Sequence, residues 1–143
     1  MTATSETMVM TQPNSEMALW IVAAVFLLGL HIALQAIGAT VELGSRWNAG
    51  PRDEGLRPES RLAGRAERAL RNYLETFPAF GLLAVTLIAL GRADGLGLAG
   101  ATIWIGARIV YIPLYLAGIP YIRSLAWIFA AIGLVMMAAR VLS

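Results

Sequence analysis

Apolar residues along this chain fall into long uninterrupted runs, and polar residues gather between the runs. Residues 17–41 contain no Asp, Glu, Lys or Arg, which at 1.5 Å per residue corresponds to about 37 Å of helix. That length exceeds the roughly 30 Å hydrocarbon core of a bilayer, so it predicts a tilted membrane-spanning helix. With the three runs that follow, the pattern predicts four helices over about residues 17–43, 65–90, 96–118 and 122–142.

The segments outside these helices are polar or rich in glycine and proline. Residues 1–16 lack both a basic residue and an apolar run, and we predict a disordered tail there. The loop of residues 48–64 contains prolines and several charges, which is typical of a solvated connection. We therefore predict one membrane domain, residues 17–143, preceded by the tail.

The composition agrees with a chain that resides in a bilayer. Hydrophobic residues make up 58% of the 143 residues and charged residues only 14%, against roughly 25% charged in soluble domains. Four spanning helices of about 20 residues each would use most of these apolar residues. The predicted fold class is all-α, an integral membrane four-helix bundle. A soluble enzyme and a nucleic-acid-binding domain are excluded.

The basic residues indicate how the chain is oriented in the membrane. Seven of the 11 lie in the first loop and the start of the second helix: Arg46, Arg52, Arg57, Arg61, Arg65, Arg68 and Arg71. Because arginine-rich loops stay in the cytoplasm, this distribution predicts a cytoplasmic first loop with both chain ends outside. The chain has no cysteine and one histidine, and we predict no metal site.

Polar residues in the second and third helices follow helical spacing. Arg68, Arg71, Asn72 and Glu75 are spaced to share one helix face, and so are Arg108, Tyr111 and Tyr115. Ionisable groups at this depth cost several kcal/mol unless they are paired or face a wet cavity. A structural alternative for the second helix is an Arg71–Glu75 or Arg68–Asn72 pair at the interface. The alternative for the tyrosines is packing in the interfacial aromatic belt.

Both polar sets, with Arg123 and Ser124 just after the last turn, lie toward the predicted cytoplasmic side. Together they would form a pocket for a small ligand that carries carboxylates and an ammonium group, since arginine binds carboxylates through paired hydrogen bonds. A nearby guanidinium or hydroxyl would also favour a ligand thiolate. The chain offers no thiol of its own, so a nucleophile would come from the ligand. Glutathione meets this description.

The segment around residues 65–78 resembles the signature of the membrane-associated proteins in eicosanoid and glutathione metabolism, the MAPEG family. The family pattern R-A-x-x-N-x-x-E followed by proline is reproduced by Arg68, Ala69, Asn72, Glu75 and Pro78. The stretches 108–115 and 122–124 are also similar to the family's third and fourth helices. The likeness is to bacterial-type members related to microsomal glutathione transferases and prostaglandin E synthase.

This resemblance implies a homotrimer in the bacterial inner membrane that binds glutathione between protomers near the cytoplasmic face. The implied activity is transferase or peroxidase chemistry on a lipophilic electrophile that arrives from the membrane lipid. Arg123 would stabilise the thiolate, with Ser124 beside it. The implied glutathione-binding residues are Arg68, Arg71, Asn72, Glu75, Arg108, Tyr111 and Tyr115, and Arg108 could instead be structural. Tyr111 stands where the prostaglandin synthase has histidine, which argues against that particular reaction.

Two other functions stay open at the level of the sequence. One is a non-catalytic scaffold or lipid-binding protein on the same fold. The other is a small proton-coupled exporter in which Glu75, the membrane-embedded carboxylate, would carry the proton. The arginines and the asparagine on its helix face would hold Glu75 ionised, which suits binding better than proton cycling.

Overall fold

The computed structural model describes residues 12–143, which form four long helices and one short helix. The helices are α1 (Gln12–Leu43), α2 (Ser45–Ala49), α3 (Arg61–Ala89), α4 (Gly95–Ala117) and α5 (Ile122–Leu142). The four long helices are long and apolar enough to cross a membrane. The predicted all-α, four-helix membrane bundle is confirmed.

The helix ends differ from the predicted ends by more than one residue in two places. Helix α1 begins at Gln12, so residues 12–16 are helical rather than part of a disordered tail; residues 1–11 lie outside the described residues. The early start has a local cause, because Pro13 occupies the first turn, where its missing N–H costs nothing. Helix α3 begins four residues early because the Ser60 side chain accepts a hydrogen bond from the Ala63 N–H at 3.2 Å.

Aromatic side chains hold the middle of the bundle together. The rings of Phe80 and Trp104 stack with centroids 4.2 Å apart, which joins α3 to α4. The Tyr73 hydroxyl donates to the Ala24 carbonyl at 2.6 Å and so joins α3 to α1. These four residues are almost completely buried. These core contacts therefore fix the position of α3 along its axis relative to α4.

Large apolar side chains cover the outside of the bundle. Leu19, Phe26 and Leu82 are each more than two-thirds exposed, and similar residues occur on every long helix. In water such a surface would aggregate, whereas in a bilayer it contacts acyl chains. The outer surface is that of a protein embedded in lipid.

The ends of three helices meet where α4 turns into α5. Gly118 has a φ of 75° and ends α4 in the left-handed conformation that glycine adopts without strain. From α3, the guanidinium of Arg65 donates to the Leu116 carbonyl at 2.9 Å and satisfies one of the unpaired carbonyls at the end of α4. This contact holds α3 against the turn that precedes Arg123.

Candidate functional site

An open pocket of about 330 Å³ lies where α3, α4 and α5 meet. Asn72 from α3, Tyr111 from α4, and Arg123 and Ser124 from α5 line it together with Trp127 and Ile128. Its volume is at the lower end of the range for small-molecule sites. Four of the nine predicted site residues therefore line the same pocket, although they come from three helices.

Arg123 is held by an aromatic ring instead of a carboxylate. Its guanidinium carbon lies 4.7 Å from the centre of the Tyr115 ring, and the rings of Tyr115 and Tyr111 are 5.2 Å apart. A cation over a ring face is attracted without using its N–H donors. Within residues 12–143 the Arg123 guanidinium donates no hydrogen bond, so its planar fork is free to bind an anion at the pocket.

The remaining polar residues of α3 lie beside the pocket instead of lining it. The side chains of Arg68, Arg71 and Glu75 are exposed. Arg71 pairs with Glu67 at 3.3 Å, with both side chains more than half exposed. The structural alternative predicted an Arg71–Glu75 or an Arg68–Asn72 pair. Neither pair is present in the described part of the chain. Glu75 instead accepts a hydrogen bond from the Asn72 amide at 3.2 Å.

Arg108 lies behind the pocket wall and is only 1% exposed. Its guanidinium donates to Asn72 Oδ1 at 2.8 Å and to Thr76 Oγ1 at 2.5 Å. The structure thus places Arg108 in contact with a residue that lines the pocket, and Arg108 itself does not line it. Of the two roles considered for it, this position favours the structural one.

Two residues of the site region with polar or aromatic side chains were missed in the sequence, as was the apolar Ile128, which also lines the pocket. Thr76 holds the Arg108 guanidinium, and Trp127 lines the pocket. Each lies four residues after a predicted site residue, Asn72 and Arg123 respectively, and therefore on the same helix face. Extending each polar face by one turn would have found both.

The pocket offers arginine, phenol, amide and hydroxyl groups to a ligand. Among residues 12–143 no three His, Asp or Glu side chains cluster in a way that could hold a metal ion. A ligand that this pocket binds well would carry anionic oxygens or sulfur that accept hydrogen bonds from Arg123. It would also carry a donor group for the Glu75 carboxylate beside Asn72.

Comparison with known proteins identifies the family but no individual relative. The sequence profile of the MAPEG family matches residues 17–143, which include all four long helices from Met17 onward and every residue of the pocket. No curated protein and no solved structure matches the chain significantly. This integral membrane protein of four spanning helices therefore belongs to the MAPEG family.

Proposed function

We propose that this protein is a membrane-bound, glutathione-dependent transferase or peroxidase that acts on lipophilic electrophiles. The observation that carries the proposal is the arrangement of Arg123, whose donors have no hydrogen-bond partner among residues 12–143, in one pocket with Asn72, Tyr111 and Ser124. Membership of the MAPEG family is consistent with glutathione-related chemistry.

The donors and acceptors of the pocket fit glutathione, which carries two carboxylates, an ammonium group and a thiol. Arg123 and Tyr111 donate to anionic groups, and the exposed carboxylate of Glu75, held beside Asn72, suits the ammonium group. The pocket is small and open on one chain. We therefore infer that a neighbouring copy closes it in a homotrimer, so that Arg68 and Arg71 on the exposed face of α3 also reach the tripeptide.

The residues of the pocket would each contribute one part of the chemistry. Bound glutathione would supply a thiolate that forms a sulfur–carbon bond as the leaving group departs. With a hydroperoxide, the thiolate would attack the terminal oxygen and break the O–O bond, which releases the alcohol and leaves a sulfenic acid that a second glutathione converts to the disulfide and water. Arg123 stabilises the negative sulfur, and Ser124 is a further hydroxyl donor beside it. Trp127 and Ile128 form an apolar wall against which a lipophilic electrophile from the bilayer can lie.

The residue at position 111 bears on which reaction is catalysed. The prostaglandin synthase, which this chain resembles in its second helix, has histidine where this chain has Tyr111. We therefore favour glutathione transfer over prostaglandin isomerisation. The arginine-rich loop argues for a cytoplasmic pocket, and we place the protein in a bacterial inner membrane, where glutathione would enter from the cytoplasm.

The test is a glutathione titration of the detergent-purified protein, followed by the ultraviolet difference band of the thiolate at neutral pH. We expect saturable thiolate formation. Arg123→Gln should retain binding within a few-fold and lose most of the thiolate band, because a neutral amide stabilises the anion far less. Arg140→Gln is the matched control, since Arg140 lies on the same helix about 25 Å away and pairs with Asp94.

Each other outcome favours a different function. If glutathione does not bind, the transferase proposal fails and the lipid-binding scaffold takes its place. If substrate-driven proton release occurs without glutathione, the exporter takes its place. Binding without a thiolate band in the wild-type protein would keep the pocket and remove Arg123 from the chemistry.

A further inference from the structure

Arg108 is a buried cation that pairs with no carboxylate in the described part of the chain. It lies nine residues before the end of α4, about 14 Å along the helix axis, and its side chain is 1% exposed. Within residues 12–143 no carboxylate lies within ion-pair distance of it. A cation in such a place costs several kcal/mol, and an apolar residue would fill the same volume at lower cost. Helix packing alone therefore gives no reason for arginine here.

The neutral partners of Arg108 show what it arranges. Its Nη1 donates to Asn72 Oδ1 at 2.8 Å and its Nη2 to Thr76 Oγ1 at 2.5 Å. Since arginine can only donate hydrogen bonds, the oxygen of the Asn72 amide must face Arg108. The amide nitrogen then faces the other way and donates to Glu75 Oε2 at 3.2 Å. The hydrogen bond from Arg108 thus determines that the amide nitrogen of Asn72, and not its oxygen, faces Glu75.

Aromatic rings keep the guanidinium in this orientation. Its central carbon lies 5.9, 5.7 and 5.5 Å from the ring centres of Tyr73, Trp104 and Tyr111, within the range of cation–π attraction. Tyr73 and Trp104 are themselves completely buried. Because those two rings are packed in the core, they restrict the guanidinium to the orientation in which it donates to Asn72.

We propose that Arg108 is a positioning residue of the glutathione site, which acts by fixing the Asn72 amide and through it the Glu75 carboxylate, without touching the ligand. This inference rests on the proposed glutathione function. It predicts that Arg108 and Asn72 form one functional unit, so the effects of their substitutions on glutathione affinity are not additive.

The experiment is a double-mutant cycle on the full-length protein in detergent, with the glutathione dissociation constant measured by titration calorimetry. We expect Arg108→Met and Asn72→Ala each to weaken binding about tenfold, the loss that corresponds to one hydrogen bond of a charged or oriented group. The double variant should bind about as weakly as Asn72→Ala alone. Additive losses, about a hundredfold in the double variant, would mean that Arg108 contacts glutathione itself and would overturn the inference.

Two further variants separate positioning from stability. Thr76→Val keeps the shape of the side chain and removes one acceptor of Arg108; it should weaken binding a few-fold with Asn72 present and have no effect in the Asn72→Ala background. Ile105→Ala removes a buried side chain one turn away on α4 and should lower the melting temperature without changing the dissociation constant. If Arg108→Met does not fold, the Thr76→Val comparison decides the question.

The outcomes for the two proposals can be told apart. If the wild-type protein does not bind glutathione, the proposed function and the positioning role fall together. If the wild-type protein binds but Arg108→Met folds and binds equally well, or Thr76→Val has the same effect with and without Asn72, only the positioning role is overturned.

Discussion

Four arginines of this protein have four different kinds of partner, and the partner determines what each side chain is free to do. Arg65 donates to the Leu116 carbonyl at the end of α4, and Arg108 to two neutral side-chain oxygens in the core. Arg71 pairs with an exposed carboxylate, whereas Arg123 packs over a ring. The guanidinium groups of Arg65 and Arg108 therefore use donors in contacts between helices. The last two can turn toward a ligand at little cost.

Arg71 provides a test at the scale of the residue. An exposed ion pair contributes only about 0–1 kcal/mol, so its pairing with Glu67 does not prevent Arg71 from binding glutathione. We expect Arg71→Ala to weaken glutathione binding about tenfold and Glu67→Ala to leave it unchanged, both measured by titration calorimetry. If both variants lost the same amount of glutathione affinity, the affinity would depend on the Arg71–Glu67 ion pair and not on direct binding of glutathione by Arg71.

Asp94 makes a prediction about pH. Arg140, 2.8 Å from the Asp94 carboxylate, holds the pKa of Asp94 below its ordinary value of 3.8. A lowered folded-state pKa stabilises the folded protein at pH above the ordinary value, and the contribution is lost as the pH falls through the lowered one. The melting temperature of wild type should therefore exceed that of Asp94→Asn at pH 6, and the gap should begin to narrow as the pH falls below about 4.

The control for this pH effect is Asp53→Asn, in the exposed loop before α3. It should melt like wild type at both pH values. A gap between wild type and Asp94→Asn that is as large at pH 3 as at pH 6 would contradict the role of the carboxylate charge.

At the scale of the element, α3 shows how one helix serves two purposes. Ala66, Ala69 and Tyr73 face the core and are buried, whereas Arg68 and Arg71 are exposed on the opposite side. The 3.6-residue period separates these faces without any tertiary information. It does not reveal which neighbour each face meets, and the pairing of Asn72 with α4 came only from the packed structure.

The crossing of α4 and α5 depends on two glycines. A Cβ added at Gly100 would lie 2.5 Å from the carbonyl oxygen of Gly133, and one added at Gly133 would lie 2.6 Å from that of Gly100. Backbone cannot yield as a flexible side chain can, so the helices would have to separate. We expect Gly100→Ala to destabilise the protein by about 1–3 kcal/mol, measured by unfolding in detergent.

Gly106 on the same helix is the matched control for this prediction. Among residues 12–143 a Cβ there meets nothing within 4 Å, so Gly106→Ala should be neutral or stabilise the protein by up to about 1 kcal/mol because alanine favours helix. If Gly100→Ala is as well tolerated as Gly106→Ala, the close crossing of α4 and α5 is wrong.

At the scale of the whole molecule, the charge distribution makes a prediction about topology. The chain contains no cysteine, so a single introduced cysteine is the only site that a maleimide can label on it. We expect Ser143→Cys to react with a membrane-impermeant maleimide on intact spheroplasts, and Asp53→Cys to react only after permeabilisation. The reverse pattern would place the pocket on the outer side, away from a cytoplasmic supply of glutathione.

The sequence alone predicted the number of membrane-spanning helices, their approximate ends and four of the residues that line the pocket. Runs without charge and helical spacing are local properties, so they predicted polar faces that contain Asn72 and Tyr111, and they predicted Arg123 and Ser124 just after the last turn at the same end of the bundle. The start of α1 at Gln12 was missed because residues 12–16 are polar, and hydropathy does not register a helix that extends beyond the bilayer.

Only the tertiary structure decided how those polar residues are divided between the pocket, the core and the outer face. The spacing of Arg108, Tyr111 and Tyr115 places them on one face of α4, yet Arg108 is buried against Asn72 and Thr76 while Tyr111 lines the pocket. Whether a polar side chain meets another helix or an open pocket depends on how α3, α4 and α5 pack. That packing is set by contacts distant in sequence, such as the stacking of Phe80 on Trp104 and the approach of Gly100 to Gly133, which no local pattern contains.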